Sequence, residues 1–153
     1  MSSVRIIGVG SPFGSDSIGW AAIDALTRLG LPQQYPDHQI TLEKLDRPGP
    51  ALLQQMHAAE LVIIIDALVS DASPGEVVPL RPDEIARQQA VLSGHGLGVA
   101  ETLALGEVLG ELPDRVLLLG IAVKPADELA TSCSELAAAT LDGLQRCINR
   151  EIG

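Results

Sequence analysis

Three residues far apart in the chain carry side chains able to hold a metal or move a proton: Asp16, Asp66 and His95. Asp66 directly follows Leu61-Val62-Ile63-Ile64-Ile65. A carboxylate at the end of so apolar a run lies close to a low-dielectric core and needs a hydrogen bond, a cation or a metal. The same position also suits a carboxylate that caps the next turn. Asp16 precedes an apolar-periodic segment, and by its place alone it reads as a helix cap favoured by the helix dipole. His95 stands between Gly94 and Gly96. Those glycines allow the backbone to approach a ligand closely, and they equally suit an ordinary turn. Together the three give two carboxylates and one imidazole. That set fits a borderline divalent cation with open positions, such as nickel, zinc or cobalt, rather than a caged structural metal. His38 and His57 have no comparable surroundings and are expected to be solvated.

These residues need elements that could bring them together, and the chain alternates strand and helix. Val4 to Val9 reads as a first strand, followed by a turn-rich loop over 10–18 and a helix over 19–29. Gln39 to Leu45 alternates polar and apolar residues, as a half-exposed strand does. Ala51 to Ala59 reads as a short helix. Leu61 to Ile65 has no alternation, which predicts a central parallel strand covered on both faces and ending at Asp66. Glu76 to Leu80 is a fourth strand, and its short link suits antiparallel pairing. Pro82 to Gln89 forms a helical turn or two, Leu97 to Leu109 a helix, Arg115 to Val123 a fifth strand and Ser134 to Glu151 the last helix. The order predicts a three-layer α/β/α sandwich, with a mostly parallel five-stranded sheet and one antiparallel strand, in a single domain over 1–153. In such sheets ligands bind beyond the carboxyl ends of the strands, near a switch in strand order. Asp16 and Asp66 converge there if the first and third strands are neighbours.

Composition narrows the function classes. The 153 residues hold 10 Lys+Arg against 20 Asp+Glu, a formal charge of −10, which argues against nucleic acid as the main partner. One Phe, one Tyr and one Trp leave no stacking platform for bases. Mean hydropathy is +0.27, which excludes disorder, and no apolar run approaches the roughly 18 residues of a membrane span. No secretion signal is read at the start, so a cytoplasmic location is expected. Cys133 and Cys147 are expected on one C-terminal helix. Their separation there, roughly 21 Å, is too long for a disulfide or a shared metal, so both read as free thiols.

Other motifs carry less. Gly8-Val9-Gly10 after a strand is similar to the start of a dinucleotide fingerprint, but position 13 is Phe rather than the third glycine, and the pair reads better as turn residues. Glu43 or Asp46 could imitate a ribose-binding acid. Ser15 and Ser17 flank Asp16 without a nucleophile elbow.

Taken as one set, Gly8-Val9-Gly10-Ser11-Pro12-Phe13-Gly14-Ser15-Asp16-Ser17-Ile18-Gly19, Ile63-Ile64-Ile65-Asp66-Ala67 and Ser93-Gly94-His95-Gly96-Leu97-Gly98 resemble the hydrogenase maturation proteases. Leu45-Asp46, Glu101 to Leu105 and Gly120-Ile121 extend the resemblance over nearly the whole chain. The chain has Ser11 where that family usually has Asn, and Ser15 where it has the first of two adjacent acids. Its first loop is one residue shorter, and Leu45-Asp46-Arg47-Pro48-Gly49 replaces the usual Asp-x-Gly-Thr-x-Gly. The resemblance implies an endopeptidase that removes the C-terminal extension of a nickel–iron hydrogenase large-subunit precursor. It implies that Asp16, Asp66 and His95 are both metal ligands and catalytic residues. The nickel is carried by the precursor, with zinc or cadmium as substitutes in vitro. A water attacks the scissile carbonyl, with Asp16 or Asp66 as base. The partner is the precursor protein, with no nucleic acid or membrane, and a monomer is expected. The competing readings are a non-catalytic nickel- or precursor-binding protein of the same fold and a nucleotide-binding α/β domain.

Overall fold

The computed structural model describes residues 2–12, 17–57, 59–88, 91–92, 98–124 and 136–153, with backbone alone at 86–88 and 91–92. Among these, β1 (Ser2–Gly10), β2 (His38–Asp46), β3 (Leu61–Val69), β6 (Arg115–Val123) and β4 (Val77–Leu80) form one sheet in the order β2-β1-β3-β6-β4. The first four are parallel, and β4 runs antiparallel to β6. The five-stranded, mostly parallel sheet is as expected, including its antiparallel member. A further two-residue strand, β5 (Val91–Leu92), pairs antiparallel with Leu68 and Val69 of β3. No periodicity can announce an element of two residues.

The helices are α1 (Ile18–Arg28), α2 (Leu52–Gln55), α3 (Pro82–Gln88), α4 (Val99–Leu109) and α5 (Ala138–Ile152), with 3-10 turns at Leu31–Gln34 and Gly49–Ala51. The chain leaves β1 for β2 on one side, then returns past β1 to β3 on the other. Right-handed crossovers in opposite directions put their helices on opposite faces. On one face Ile23 and Leu26 of α1 and Leu144 and Ile148 of α5 pack on Ile6, Ile63 and Ile65. On the other, Leu52 and Leu53 of α2, Ile85 of α3 and Leu103 of α4 pack on Ile7, Val62 and Ile64. The alternation along β1 and β3 thus splits the core into two layers, with Ile6, Ile7, Ile63, Ile64 and Ile65 all fully buried. The outer strand β2 alternates half-buried and exposed residues over much of its length, as an edge does.

Two expectations need correction. The first concerns Gly8 and Gly10, which lie inside β1 rather than in a turn. A Cβ at Gly8 would stand 2.5 Å from the Gly19 carbonyl oxygen, and one at Gly19 would stand 2.5 Å from that of Val9 and 2.8 Å from that of Ile65. These glycines let the start of α1 press directly onto β1 and β3. The second concerns the last helix. It starts at Ala138, after an extended Ala137, so Cys133 precedes it and lies outside the described residues. The helical spacing that separated the two thiols therefore does not apply. Cys147 is on α5, half-buried and free, and burial pushes its thiol above the ordinary range.

α4 ends on Gly110 at φ 68°, with the Glu111 N–H donating to Gly106 O and the Gly110 N–H to Glu107 O. That pair of bonds is the Schellman closure that glycine permits. At the opposite end of the sheet from the candidate site, Glu151 of α5 receives both Nη atoms of Arg81 at 2.8 and 2.9 Å, and Arg115 Nη2 approaches at 3.5 Å. The Arg81 hydrogen bonds hold the Glu151 carboxyl below the usual carboxylate range. This two-guanidinium clamp fixes α5 to the starts of α3 and β6.

Candidate functional site

The reversal in strand order falls between β1 and β3, which pair in parallel from Val4↔Leu61 to Gly8↔Ile65. A crevice at the carboxyl ends of these strands is where an open α/β sheet takes its ligand. Asp66 is the next residue of β3. It does not end the strand as expected. The ladder with β6 continues through Asp66↔Gly120 to Val69↔Val123, because Ala67-Leu68-Val69 is as apolar as what precedes it. Asp66 is therefore enclosed in a central strand and is 1% exposed.

Its side chain faces a definite layer. Ile63 and Ile65 belong to the α1/α5 cluster, while Val62, Ile64 and Leu68 belong to the α2/α3/α4 cluster. Period-two alternation puts Asp66 on the latter face. There the Ala67 backbone N–H donates to Asp66 Oδ1 at 2.9 Å. Beside it Gly120 has no side chain, and Leu68 leans into that space, since a Cβ on Gly120 would meet Leu68 Cδ2 at 2.9 Å. A carboxylate so deep in apolar surroundings is costly to keep charged without compensation.

Other polar groups gather at the same end of the sheet. Ser11, just past β1, is fully buried, and Ser17, at the start of α1, is 4% exposed. Trp20 of α1 donates its indole N–H to Leu45 O at 3.1 Å, which ties the helix to the end of β2. Arg47 follows β2 with φ 41°, its N–H donating to Gly10 O at 3.0 Å and its Nε to Asp46 Oδ1 at 2.8 Å. A non-glycine residue in the left-handed region is strained, and this one sets a cation at the carboxyl ends of β1 and β2. The sequence reading did not single out Arg47. Its only signal was the altered segment after Leu45.

Asp16 and His95 lie outside the described residues. A described residue close to each of them is nonetheless fixed beside the Asp66 strand. Gly19, three residues after Asp16, packs against the carbonyl of Ile65. Leu92, three residues before His95, pairs with Leu68, two residues beyond Asp66. Gly98, three residues after His95, caps α4, with the Glu101 carboxylate folded back over it. Among the described residues there is no group of three metal-ligating side chains. The two acids that could imitate a ribose ligand are otherwise engaged: Glu43 accepts from Arg5 Nε at 2.9 Å, and Asp46 pairs with Arg47. His57 is exposed, as expected. His38 is half-buried at the start of β2 and meets the Tyr35 ring edge-on, with centroids 6.5 Å apart.

Comparison with known proteins agrees with this architecture. The model of a family described as hydrogenase maturation protease matches residues 46–151. The hydrogenase 2 maturation protease of Escherichia coli K12 is 34% identical over 125 residues, covering 77% of this chain and 71% of that protein. A hydrogenase expression/formation protein, HupD of Thiocapsa roseopersicina, is 26% identical over 132 residues, covering 84% of this chain. The match spans only 58% of that relative's length. Among solved structures, the hydrogenase maturating endopeptidase HybD from E. coli superposes with a TM-score of 0.65 at 23% identity, covering 99% of this chain and 94% of that one. A maturation protease HycI from Thermococcus kodakarensis gives 0.63 at 18% identity, covering 98% and 90%. No helix among the described residues is long and apolar enough to cross a membrane.

Proposed function

Because the chain belongs to the hydrogenase maturation protease family, we propose that it is an endopeptidase that removes the C-terminal extension of a nickel-loaded hydrogenase large-subunit precursor in the cytoplasm. The observation that carries this reading is a carboxylate, Asp66, buried at the switch point between β1 and β3. The chain segments that lead to Asp16 and His95 are anchored beside it. Two carboxylates and an imidazole would offer a nickel ion hard and borderline donors but no thiolate. Such a set holds free metal weakly. It engages a metal whose other positions are already filled by thiolates of the precursor. The nickel is thus cargo of the substrate, and its presence decides whether the tail is cut.

In this scheme a water attacks the scissile carbonyl carbon. A carboxylate, Asp16 or Asp66, takes the water proton and returns it to the departing amine. At 1% exposure Asp66 is shielded from bulk water. The same donor chemistry accepts zinc or cadmium in place of nickel in vitro.

The test is to incubate the purified chain with nickel-loaded and nickel-free precursor and follow the tail by mass spectrometry. Release from the loaded precursor, with at least a hundredfold slower release from the nickel-free one, is expected. Equal release from both would overturn the nickel requirement, and release from neither would overturn the endopeptidase assignment.

A further inference from the structure

α4 has apolar residues on two sides. Its inner side, Val99, Thr102, Leu103 and Gly106, is buried against the sheet. Its outer side also carries an apolar stripe, in which Leu105 is 39% exposed, Val108 84% and Leu109 55%. Three of the four large apolar side chains exposed among the described residues are therefore on this one helix. A helix outside a sheet normally turns polar residues to water. The stripe amounts to an apolar patch on the order of 300 Å², a size at which patches on soluble proteins are often functional.

The rim of the stripe is acidic. Glu101, Glu107, Glu111 and Asp114 are all exposed. Beside the stripe a groove of about 400 Å³ is lined by Asp83, Glu107, Asp114 and Leu112. Arg115, next to Asp114 in the chain, is taken up by Glu151 on α5. α4 also begins four residues after His95 in the sequence. At about 1.5 Å per residue, Leu105 to Leu109 lie roughly 10 to 15 Å along the helix from its start.

We propose that this outer face of α4 docks the folded body of the precursor through an apolar ridge flanked by Lys and Arg. This rests on the reading above, in which the precursor's tail enters the site beside Asp66. A second copy of the chain is the wrong occupant on two counts. Two-fold pairing would set the acidic rim against itself in a chain of net charge −10, which like-charge repulsion opposes. The patch is also well below the roughly 800 Å² per partner of a stable interface. It suffices when the tail is held at the site as well, because the second contact is then intramolecular. The acidic groove takes a basic side chain from the docked surface.

The test compares wild type, Val108→Lys/Leu109→Lys and Asp66→Asn on nickel-loaded precursor, with binding, cleavage and sedimentation read separately. The double variant is expected to keep its thermal midpoint and kcat while its KM and Kd for the precursor rise at least tenfold. Asp66→Asn is expected to bind and not cleave. Val108→Ile, which keeps the apolar side chain, should retain the wild-type KM. An unchanged KM in the double variant would overturn the docking face. So would a wild-type dimer that the double variant splits into monomers, since the face would then belong to a second copy. Precursor binding that the double variant weakens, in a wild type that never cleaves, would keep the docking face and remove the endopeptidase reading. A wild type that neither binds nor cleaves would remove both.

Discussion

Asp66→Asn is expected to fold as the wild type does and to lose at least 10³-fold in tail removal, about 4 kcal/mol of transition-state stabilisation. The substitution keeps the shape of the side chain and an oxygen able to accept the Ala67 N–H at 2.9 Å. It removes the negative charge, and with it a metal-binding donor and a base. The residue is 1% exposed in a strand paired on both sides, so the charge is lost from the interior of the site and not from its surface. Steady-state cleavage of nickel-loaded precursor, with circular dichroism as the check on folding, reads this directly. Activity within tenfold of wild type would mean that Asp66 is only a buried structural carboxylate.

The second large effect is on stability. Gly19→Ala adds one methyl group where the Val9 and Ile65 carbonyl oxygens already stand 2.5 and 2.8 Å from the new atom. Backbone oxygens of two central strands cannot rotate away as a flexible side chain would, so α1 has to lift off the sheet. Ile23 and Leu26, both buried on that face, would lift with it. Overpacking of this kind costs up to about 3 kcal/mol, and more when backbone must move. In a domain of this size that lowers the melting temperature by roughly 10 °C. Thermal unfolding followed by circular dichroism measures it. A shift under about 2 °C would contradict the close approach of α1 to β1 and β3.

Much of the architecture was legible in the chain because the signals were long and periodic. The unbroken run Leu61 to Ile65 announced a covered central strand, the alternation of Gln39 to Leu45 an edge, and the short link before Val77 an antiparallel return. What escaped lay where the physics is not local. A charged residue reads as a strand terminus, yet β3 runs on past Asp66 because pairing with Gly120 on β6 keeps it inside the ladder. Gly8 read as a turn glycine because the sequence does not reveal that Gly19 will press against it. The outer stripe of α4 was invisible because apolar residues at 105, 108 and 109 look like core until the sheet shows which side of the helix it takes. Of the three site residues, Asp66 is the one the described structure tests for burial and face. For Asp16 and His95 it fixes the flanks at Gly19, Leu92 and Gly98.

Asp16, Asp66 and His95 are expected to meet at one metal ion. Anomalous diffraction from crystals soaked with zinc or nickel measures this directly. A single peak is expected at the carboxyl ends of β1 and β3, with a carboxylate oxygen from each aspartate and one nitrogen of His95 at about 2.0 to 2.2 Å. A peak coordinated without Asp66, or three side chains too far apart to share an ion, would contradict it.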